Sequence, residues 1–441
     1  MKILFVSLGC DKNLVDTEYM LGILGNEGYA FTDDEQEADI IVINTCCFIN
    51  DAKEESINTI LEMAEYRESG NCKALIVTGC LAQRYQEEIE KEIPQVDAII
   101  GTTAIDEIVA ALEEILAGQK QNHYEDINAA PVTETNRVVT TGGHFAYLKI
   151  AEGCDKHCTY CIIPKVRGNY RSVPKESLLK EARELADKGV RELILVAQET
   201  TLYGVDLYGK KELPGLLHEL AQIPGIYWIR ILYCYPEEIT DELINAIAAE
   251  PKVCNYLDIP IQHASDNVLK RMGRRTDQAE LRAIIGKLRE KIPDICLRTT
   301  LISGFPGETQ EDFEELYRFV NEMEFDRLGV FPYSQEEDTP AATMEDQVPQ
   351  EVKEFRRDEL MELQQAIAFD KAEDMVGRIL TVMIEGKVAD EETYVARTYR
   401  DAPNVDGYLF VNTSANLMTG DFVKVLVTDS NEYDLIGEIY H

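Results

Sequence analysis

The sequence predicts a mixed α/β protein in three parts: an N-terminal parallel α/β domain, a central partial (β/α)6 barrel and a small antiparallel β-barrel at the C-terminus. Three observations carry this. Residues 1–118 alternate short apolar runs with amphipathic helical stretches. Residues 143–374 repeat that alternation six times. Residues 375–441 switch to apolar and polar residues in turn, punctuated by Gly386, Pro403, Gly407 and Gly420. At 441 residues the chain is also too long for one ordinary core.

In the first part, strands are expected at 2–7, 39–45, 74–78 and 97–100, and helices at 13–27, 51–69, 81–93 and 104–117. The first three strands each run into a cysteine, in Leu8-Gly9-Cys10, Asn44-Thr45-Cys46 and Thr78-Gly79-Cys80. Ligands of open α/β sheets gather at the carboxyl ends of the strands. Three thiolates meeting there can carry an iron-sulfur cluster that is one protein ligand short of saturation. Taken singly, each cysteine would serve equally as a small apolar core residue; the shared topological position favours ligation. Cys47 neighbours Cys46, and strand alternation turns only one of the pair toward the site. Cys72, Cys234, Cys254 and Cys296 lie in or beside apolar stretches without a common spacing and read as core. The odd total of eleven cysteines favours a reducing compartment and metal ligation over a disulfide framework.

Residues 119–142 are polar, with Pro131 and Gly142-Gly143, and read as a linker. The central part follows with strands expected at 145–148, 192–197, 227–233, 256–261, 297–303 and 328–333, separated by helices at 175–188, 212–222, 240–249, 277–291 and 309–322. Six such repeats describe an open, TIM-like barrel, whose chemistry sits at the strand carboxyl ends. Beyond the first of these strands lies Cys154-x3-Cys158-x2-Cys161. Three thiolates this close can hold three irons of a cubic cluster. The fourth iron is left open to chelation by the amino and carboxylate groups of a methionine-like cosubstrate. His157 would make up four N/S ligands for zinc, but four ligands packed so tightly would strain a tetrahedron.

Other loops at the same rim carry Gln198-Glu199-Thr200, Gln262-His263 and Gly304-Phe305-Pro306-Gly307-Glu308, polar groups suited to a small charged cofactor. Gly304 and Gly307 permit a tight turn and close backbone approach. His263 reads as a satisfied rim histidine. Arg271, Arg274 and Arg275 form the concentrated basic group of the chain; they read as a solvated helix end, with a carboxylate or phosphate contact as the alternative.

A long charged helix is expected at 349–374, and strands of the terminal barrel at 378–384, 393–397, 408–411 and 422–428. Five bases (Arg378, Lys387, Arg397, Arg400 and Lys424) face thirteen acidic residues between Glu373 and Glu438. The formal charge of the whole chain is −38. Such a balance opposes a broad nucleic-acid groove and fits a basic partner, although acidity also serves solubility alone. No apolar run approaches the roughly 18 residues of a membrane span. The opening residues read as a strand, not a signal peptide, so a cytoplasmic location without membrane association is expected.

The run Gly153-Cys154-Asp155-Lys156-His157-Cys158-Thr159-Tyr160-Cys161-Ile162-Ile163-Pro164, with Arg167-Gly168, resembles the cluster loop of radical S-adenosylmethionine enzymes, specifically the methylthiotransferases. The resemblance covers nearly the whole chain, its last part being similar to a TRAM barrel. It implies two 4Fe-4S clusters, one on Cys154, Cys158 and Cys161 and an auxiliary one on Cys10, Cys46 and Cys80, with Cys46 preferred over Cys47 through Asn-Thr-Cys. S-adenosylmethionine would be both radical source and methyl donor, contacted by Tyr160, Gln198, Glu199, Gly304 and Gly307.

Two branches of the family differ in substrate: one modifies an aspartate β-carbon of the twelfth protein of the small ribosomal subunit, the other an isopentenylated adenosine of tRNA. Ser7-Leu-Gly-Cys-Asp-Lys-Asn-Leu-Val-Asp-Thr-Glu18, Leu232-Tyr-Cys-Tyr-Pro236, Leu257-Asp-Ile-Pro-Ile-Gln-His263 and Val330-Phe-Pro-Tyr-Ser-Gln-Glu-Glu-Asp-Thr339 resemble the ribosomal-protein branch. Asp11 and Thr17 depart from its usual Pro and Ser, but they flank a ligand and replace none. The resemblance further implies a low-potential electron donor such as flavodoxin or ferredoxin, a basic ribosomal protein as substrate, and no direct nucleic-acid binding. A non-enzymatic iron-sulfur electron carrier is the alternative of another class; it would leave the six-repeat barrel unexplained.

Overall fold

A computed structural model describes residues 1–133 and 136–441; positions 134 and 135 of the expected linker lie outside the described residues. The N-terminal domain is a parallel sheet in the order β2-β1-β3-β4-β5. Its strands are β1 (Lys2–Ser7), β2 (Ala30–Phe31), β3 (Ile40–Thr45), β4 (Ala74–Gly79) and β5 (Ala98–Ile100). The helices are α1 (Asp11–Asn26), α2 (Asn50–Ser69), α3 (Cys80–Arg84), α4 (Gln86–Glu92) and α5 (Ile108–Leu116). Alternate residues of one strand feed different cores. Ile40 and Val42 pack with Val15 and Met20 of α1 and Leu112 of α5, while Ile41 and Ile43 pack with Ile60 of α2 and Leu81 of α3. A strand covered on both faces must be apolar throughout, which is why these runs are continuous. The helix expected at 81–93 is interrupted at Tyr85, giving α3 and α4.

The central domain is a six-stranded sheet in the order β13-β12-β11-β10-β9-β6. In chain order it comprises β6 (Phe145–Lys149), β7 (Ala151–Glu152), α6 (Ile163–Arg167), β8 (Arg171–Ser172), α7 (Lys175–Asp187), β9 (Glu192–Val196), α8 (Val205–Tyr208), α9 (Leu213–Ala221), β10 (Trp228–Ile231), α10 (Asp241–Ala249), β11 (Val253–Asp258), α11 (Asp266–Arg271), α12 (Gln278–Lys291), β12 (Cys296–Ser303), α13 (Gln310–Met323) and β13 (Arg327–Pro332). The pairings along the six-stranded sheet are all parallel, and β7 and β8 form a separate antiparallel pair. Leu193 and Leu195 join the core under the helices. Ile194 and Val196 face the concave side, in one core with α1 and α5 of the first domain. The strand expected at 256–261 ends at Asp258, two residues before Pro260, which has no N–H to give the ladder.

α14 (Gln350–Glu373) leads to a closed barrel of β14 (Ile379–Lys387), β15 (Thr393–Thr398), β16 (Leu409–Asn412), β17 (Phe422–Asn431) and β18 (Asp434–Ile439), in the order β14-β15-β16-β18-β17. The sequence reading lacks β18. Its Gly437 breaks the apolar alternation, and a Cβ there would come within 2.5 Å of Val425 Cγ1.

This barrel docks where the strands of the central sheet begin, at the end opposite the Cys154 loop. Glu192 at the start of β9 receives Arg230 Nε of β10 at 2.8 Å and Arg397 Nη2 of β15 at 2.7 Å. Arg327 meets Asp401 at 2.6 Å, Arg400 meets Asp326 at 2.8 Å, and Phe422 stacks on Tyr227. Two of the five expected bases, Arg397 and Arg400, are thus consumed inside the molecule. Among the described residues no helix is long and apolar enough to cross a membrane.

The stretch read as a linker is not a free tether. His123 bridges to Ile100 beside β5, and Arg137 is buried between Glu18 of α1 and Glu181 of α7, the latter at 2.9 Å. A guanidinium taken from water in this way fixes α1 against the central domain.

Candidate active site

Cys46 and Cys80 follow β3 and β4 directly, and Cys10 lies three residues beyond the end of β1. Cys10 is the residue before α1, and Cys80 opens α3. Two glycines let the loops approach. A Cβ on Gly9 would lie 2.8 Å from Cys46 Sγ, and one on Gly79 2.3 Å from Asn44 Oδ1. Asn13 ties the loops together, its Nδ2 donating to Leu8 O at 2.9 Å and Thr45 O at 3.0 Å. Ser56 of α2 fixes the backbone of Cys46, accepting from its N–H at 3.0 Å and donating to its carbonyl at 2.8 Å. Burial pushes the Cys80 thiol up; Arg167 opposes this, and the nearby Cys47, Cys46 and Cys10 add to it. Cys47 is buried in the core that α2 and α3 form with the sheet, where burial raises its thiol to about 11 against the pull of Arg84. Cys46 is thus the one that faces Gly9 and the Cys10 loop.

The second trio sits on the loop between β7 and β8. Gly153 adopts φ +76°, and a Cβ there would fall 2.0 Å from Asn169 O. Cys154 N donates to Gly168 O at 3.1 Å, Thr159 N to Met272 O at 2.9 Å, and Ala341 N to Thr159 O at 2.8 Å. The loop is therefore held from three sides before any ligand binds. Burial raises the Cys154 thiol to about 12, and raises that of Cys161 further. His157 is exposed. Among the described residues no three His, Cys, Asp or Glu side chains converge as they would around one metal ion. His157, the fourth donor that a zinc site would need, is exposed while Cys154 and Cys158 are buried, so this donor set suits three separate corners of a cube better than one four-ligand zinc ion. Gly153→Ala is expected to lose iron from this loop while the auxiliary site keeps its own. Iron analysis with spectroscopy after anaerobic reconstitution checks it.

Arg167, at the end of α6, links Cys80 to the strand that leads into Cys154. Its Nε lies 3.3 Å from Cys80 Sγ, and its Nη1 lies 2.7 Å from Asp16 Oδ2 of α1 and 3.3 Å from Glu152 Oε2. Lys149 pairs with Asp16 and, at 2.8 Å, with Glu152. Burial alone would raise the Glu152 carboxyl, but Lys149 and Arg167 hold it down to about 2. Gln198 Nε2 donates to Glu152 Oε1 at 2.7 Å. Sequence reasoning missed Lys12, Asp16 and Glu18 as members of this interface. Their signal was charge on the otherwise apolar stripe of α1 that also carries Val15 and Tyr19.

The expected cosubstrate residues divide. Tyr160 lines a cavity of ≈ 190 Å³ with Phe48, Gln262, Ile302, Phe331 and Tyr333. Gln198 Oε1 and Glu199 Oε2 are buried acceptors without a partner, ready for a ligand's donors. Burial raises the Glu199 carboxyl to about 7. Gly304 and Gly307 have another explanation. A Cβ on Gly304 would lie 2.3 Å from Lys353 Cγ, and one on Gly307 2.3 Å from Arg271 Cζ, so both make room for side chains of the protein. His263 is fully buried and accepts from Ser265 N at 3.0 Å. Arg271 binds Asp346 at 2.7 Å and Arg275 is exposed, as a helix end should be, but Arg274 is 7% exposed and contradicts that reading.

Residues 2–101 match an uncharacterised protein family designated UPF0004, residues 148–320 the radical SAM superfamily and residues 376–439 the TRAM domain. The chain is 64% identical, over 99% of both lengths, to the ribosomal protein uS12 methylthiotransferase RimO of Lachnoclostridium phytofermentans. It is 49% identical to the protein of the same name in Clostridium botulinum, over 100% of this chain and 98% of that one. Among solved structures, the radical S-adenosylmethionine methyltransferase TsrM of Kitasatospora setae superposes with a TM-score of 0.56 at 13% identity, over 77% of this chain and 76% of that one, a likeness of fold alone.

Proposed function

Because the chain belongs to the RimO family of ribosomal protein uS12 methylthiotransferases, we propose that it methylthiolates uS12, the twelfth protein of the small ribosomal subunit, at the β-carbon of an aspartate. It is a radical SAM enzyme with 4Fe-4S clusters. The clusters and S-adenosylmethionine supply the electron, the hydrogen-abstracting radical, the sulfur and the methyl group, chemistry that no side chain offers at an unactivated C–H bond.

The residues of this chain hold and shield those groups. Cys154, Cys158 and Cys161 bind the cluster that engages S-adenosylmethionine, and Cys10, Cys46 and Cys80 bind the auxiliary one. Tyr160, Gln198 and Glu199 bind the cosubstrate. The observation that carries the reading is the buried Arg167, which touches Cys80 Sγ and, through Glu152, the strand that leads into Cys154. Two centres tied by one guanidinium keep a fixed separation, and reactions that move a group from one to the other depend on such positioning. The cavity beside Tyr160 is lined mainly by apolar side chains, which carry no polar group to compete with the substrate.

Residues 1–118 act as the auxiliary-cluster domain, 143–374 as the radical SAM domain with its exit helix, and 375–441 as the TRAM domain. The acidity of the last favours a basic ribosomal protein over RNA. A flavodoxin or ferredoxin is the electron source we assign, and the cytoplasm, where thiols stay reduced, the location; all eleven cysteines are free. Mass spectrometry of uS12 and of tRNA, from cells with and without this gene, tests the proposal. A methylthio mass increment on uS12 that vanishes with the gene is expected. An increment lost from tRNA instead, or from neither, overturns it.

A further inference from the structure

Two of the stretches that resemble the ribosomal-protein branch, Ser7–Glu18 and Leu232–Pro236, meet at one oxygen. Oδ1 of Asp11, the first residue of α1, accepts from the Lys12 N–H at 3.1 Å and from Tyr233 Oη at 3.1 Å, and pairs with the Lys12 ammonium at 3.0 Å. That ammonium lies 3.3 Å over the centre of the Tyr233 ring. Donors from two domains thus converge on a single carboxylate oxygen, as they do in a built anion site.

The fold prepares the grip in advance. Tyr233 adopts φ +58°, a left-handed conformation that a bulky residue takes only when its surroundings impose it. Here its N–H donates to Asp258 Oδ2 at 3.0 Å, and its carbonyl accepts from Thr200 N and Thr200 Oγ1, each at 3.1 Å. Arg298 holds Asp258 in turn, at 3.2 Å. Lys12 is buried, and among the described residues Asp11 is the one carboxylate within ion-pair distance of it. Asp11 stands where the branch usually has Pro, so the lysine and the tyrosine are not there for its sake. Cys10 and Tyr233 are partly open to solvent, which leaves the grip reachable from outside.

We propose that Lys12 and Tyr233 hold the side-chain carboxylate of the uS12 aspartate, and that Asp11 occupies their site until the substrate arrives. The inference rests on the function proposed above, in which Cys10, the neighbour of Asp11, binds the cluster that is the source of the sulfur. The carbon to be modified is bonded to the carboxyl carbon, so gripping the carboxylate fixes the reacting atom beside that cluster.

Two forms of intact uS12 test this, the natural protein and one whose modified aspartate is replaced by asparagine. Equilibrium affinity and iron content are measured on anaerobically reconstituted wild type, Lys12→Gln, Tyr233→Phe and Asp11→Ala. Lys12→Gln is expected to lose roughly tenfold to a hundredfold in affinity for natural uS12 and to bind the asparagine form as wild type does, because both changes remove the same contact. Asp11→Ala is expected to bind natural uS12 about tenfold tighter, because the internal competitor is gone. A lysine that only clasped the two domains would give another pattern, with Asp11→Ala weakened as Lys12→Gln is and both forms of uS12 affected alike; either result overturns the proposal. Should Lys12→Gln lose iron, Tyr233→Phe, which keeps the ring and removes one donor, decides by the same comparison: an equal loss toward both forms, or none, overturns it. If wild type itself neither binds nor methylthiolates uS12, the function proposed above fails and the site with it. A wild type that modifies uS12, beside variants that bind both forms as it does, overturns the site alone.

Discussion

Replacing Cys158 by alanine is expected to abolish cleavage of S-adenosylmethionine to background, while Cys46→Ala leaves cleavage measurable and stops sulfur insertion. The two trios occupy the ends of different sheets, and each loop has its own restraints: Asn13 and Ser56 around one, the Gly168, Met272 and Ala341 backbone contacts around the other. Loss of one thiolate should therefore empty one site and spare the other. Each variant would carry about four irons per chain where wild type carries about eight. 5′-Deoxyadenosine measured by chromatography, beside methylthiolated uS12 measured by mass spectrometry, separates the outcomes. A Cys46→Ala enzyme that still methylthiolated uS12 would show that the auxiliary assignment is wrong.

The largest expected effect on stability lies at the other end of the central sheet. Glu192 is fully buried, with Arg230 and Arg397 on its two oxygens. Glu192→Ala would leave the Arg230 guanidinium buried without a carboxylate partner and Arg397 with Glu385 alone, a loss of about 3–5 kcal/mol. Arg397 belongs to the terminal barrel, so its attachment should fail first: limited proteolysis is expected to release that barrel from the variant and not from wild type.

The same contact sets a dependence on acid. Burial would raise the Glu192 carboxyl, but Arg397 and Arg230 overcome this and hold it below the ordinary 4.5. A carboxyl lowered in the folded state contributes stability that is complete above that ordinary value and is lost as pH falls through the lowered one. Urea midpoints of wild type should thus decline below pH 4.5 with a component that Glu192→Gln lacks. Parallel declines would show that Glu192 is not the group involved.

Much of this molecule is legible in local pattern. β4 is read to within one residue, because a strand buried on both faces must be continuously apolar, and β1 is read to the residue from the apolar run Ile3–Val6 between Lys2 and Ser7. The positions of the six cysteines are a matter of local pattern as well. One trio is a spacing within eight residues, and the other a repeated position at strand ends. What fails is whatever depends on distant partners. Arg274 reads as a solvated helix end because three arginines in five residues usually are one; only the cluster loop and Tyr235, brought over it by the fold, take it out of water. The linker reads as a tether because its composition is polar, yet Arg137 finds Glu18 and Glu181 far along the chain. Gly304 and Gly307 read as ligand contacts, and the fold adds a second reason for a missing Cβ that the sequence does not show, the side chains of Lys353 and Arg271.

By itself the sequence determined three domains and the spacing of two cysteine trios, because periodicity and spacing are properties of neighbouring residues, while the radical chemistry followed from the resemblance to a family. Only the tertiary structure decided that Arg167 links Cys80 to the strand before Cys154, that the terminal barrel docks on the far end of the central sheet through Glu192, and that Arg274 is buried over Tyr235. Each is an electrostatic contact between segments far apart in the chain, and whether a charge is paired, solvated or stranded is settled by the fold that surrounds it.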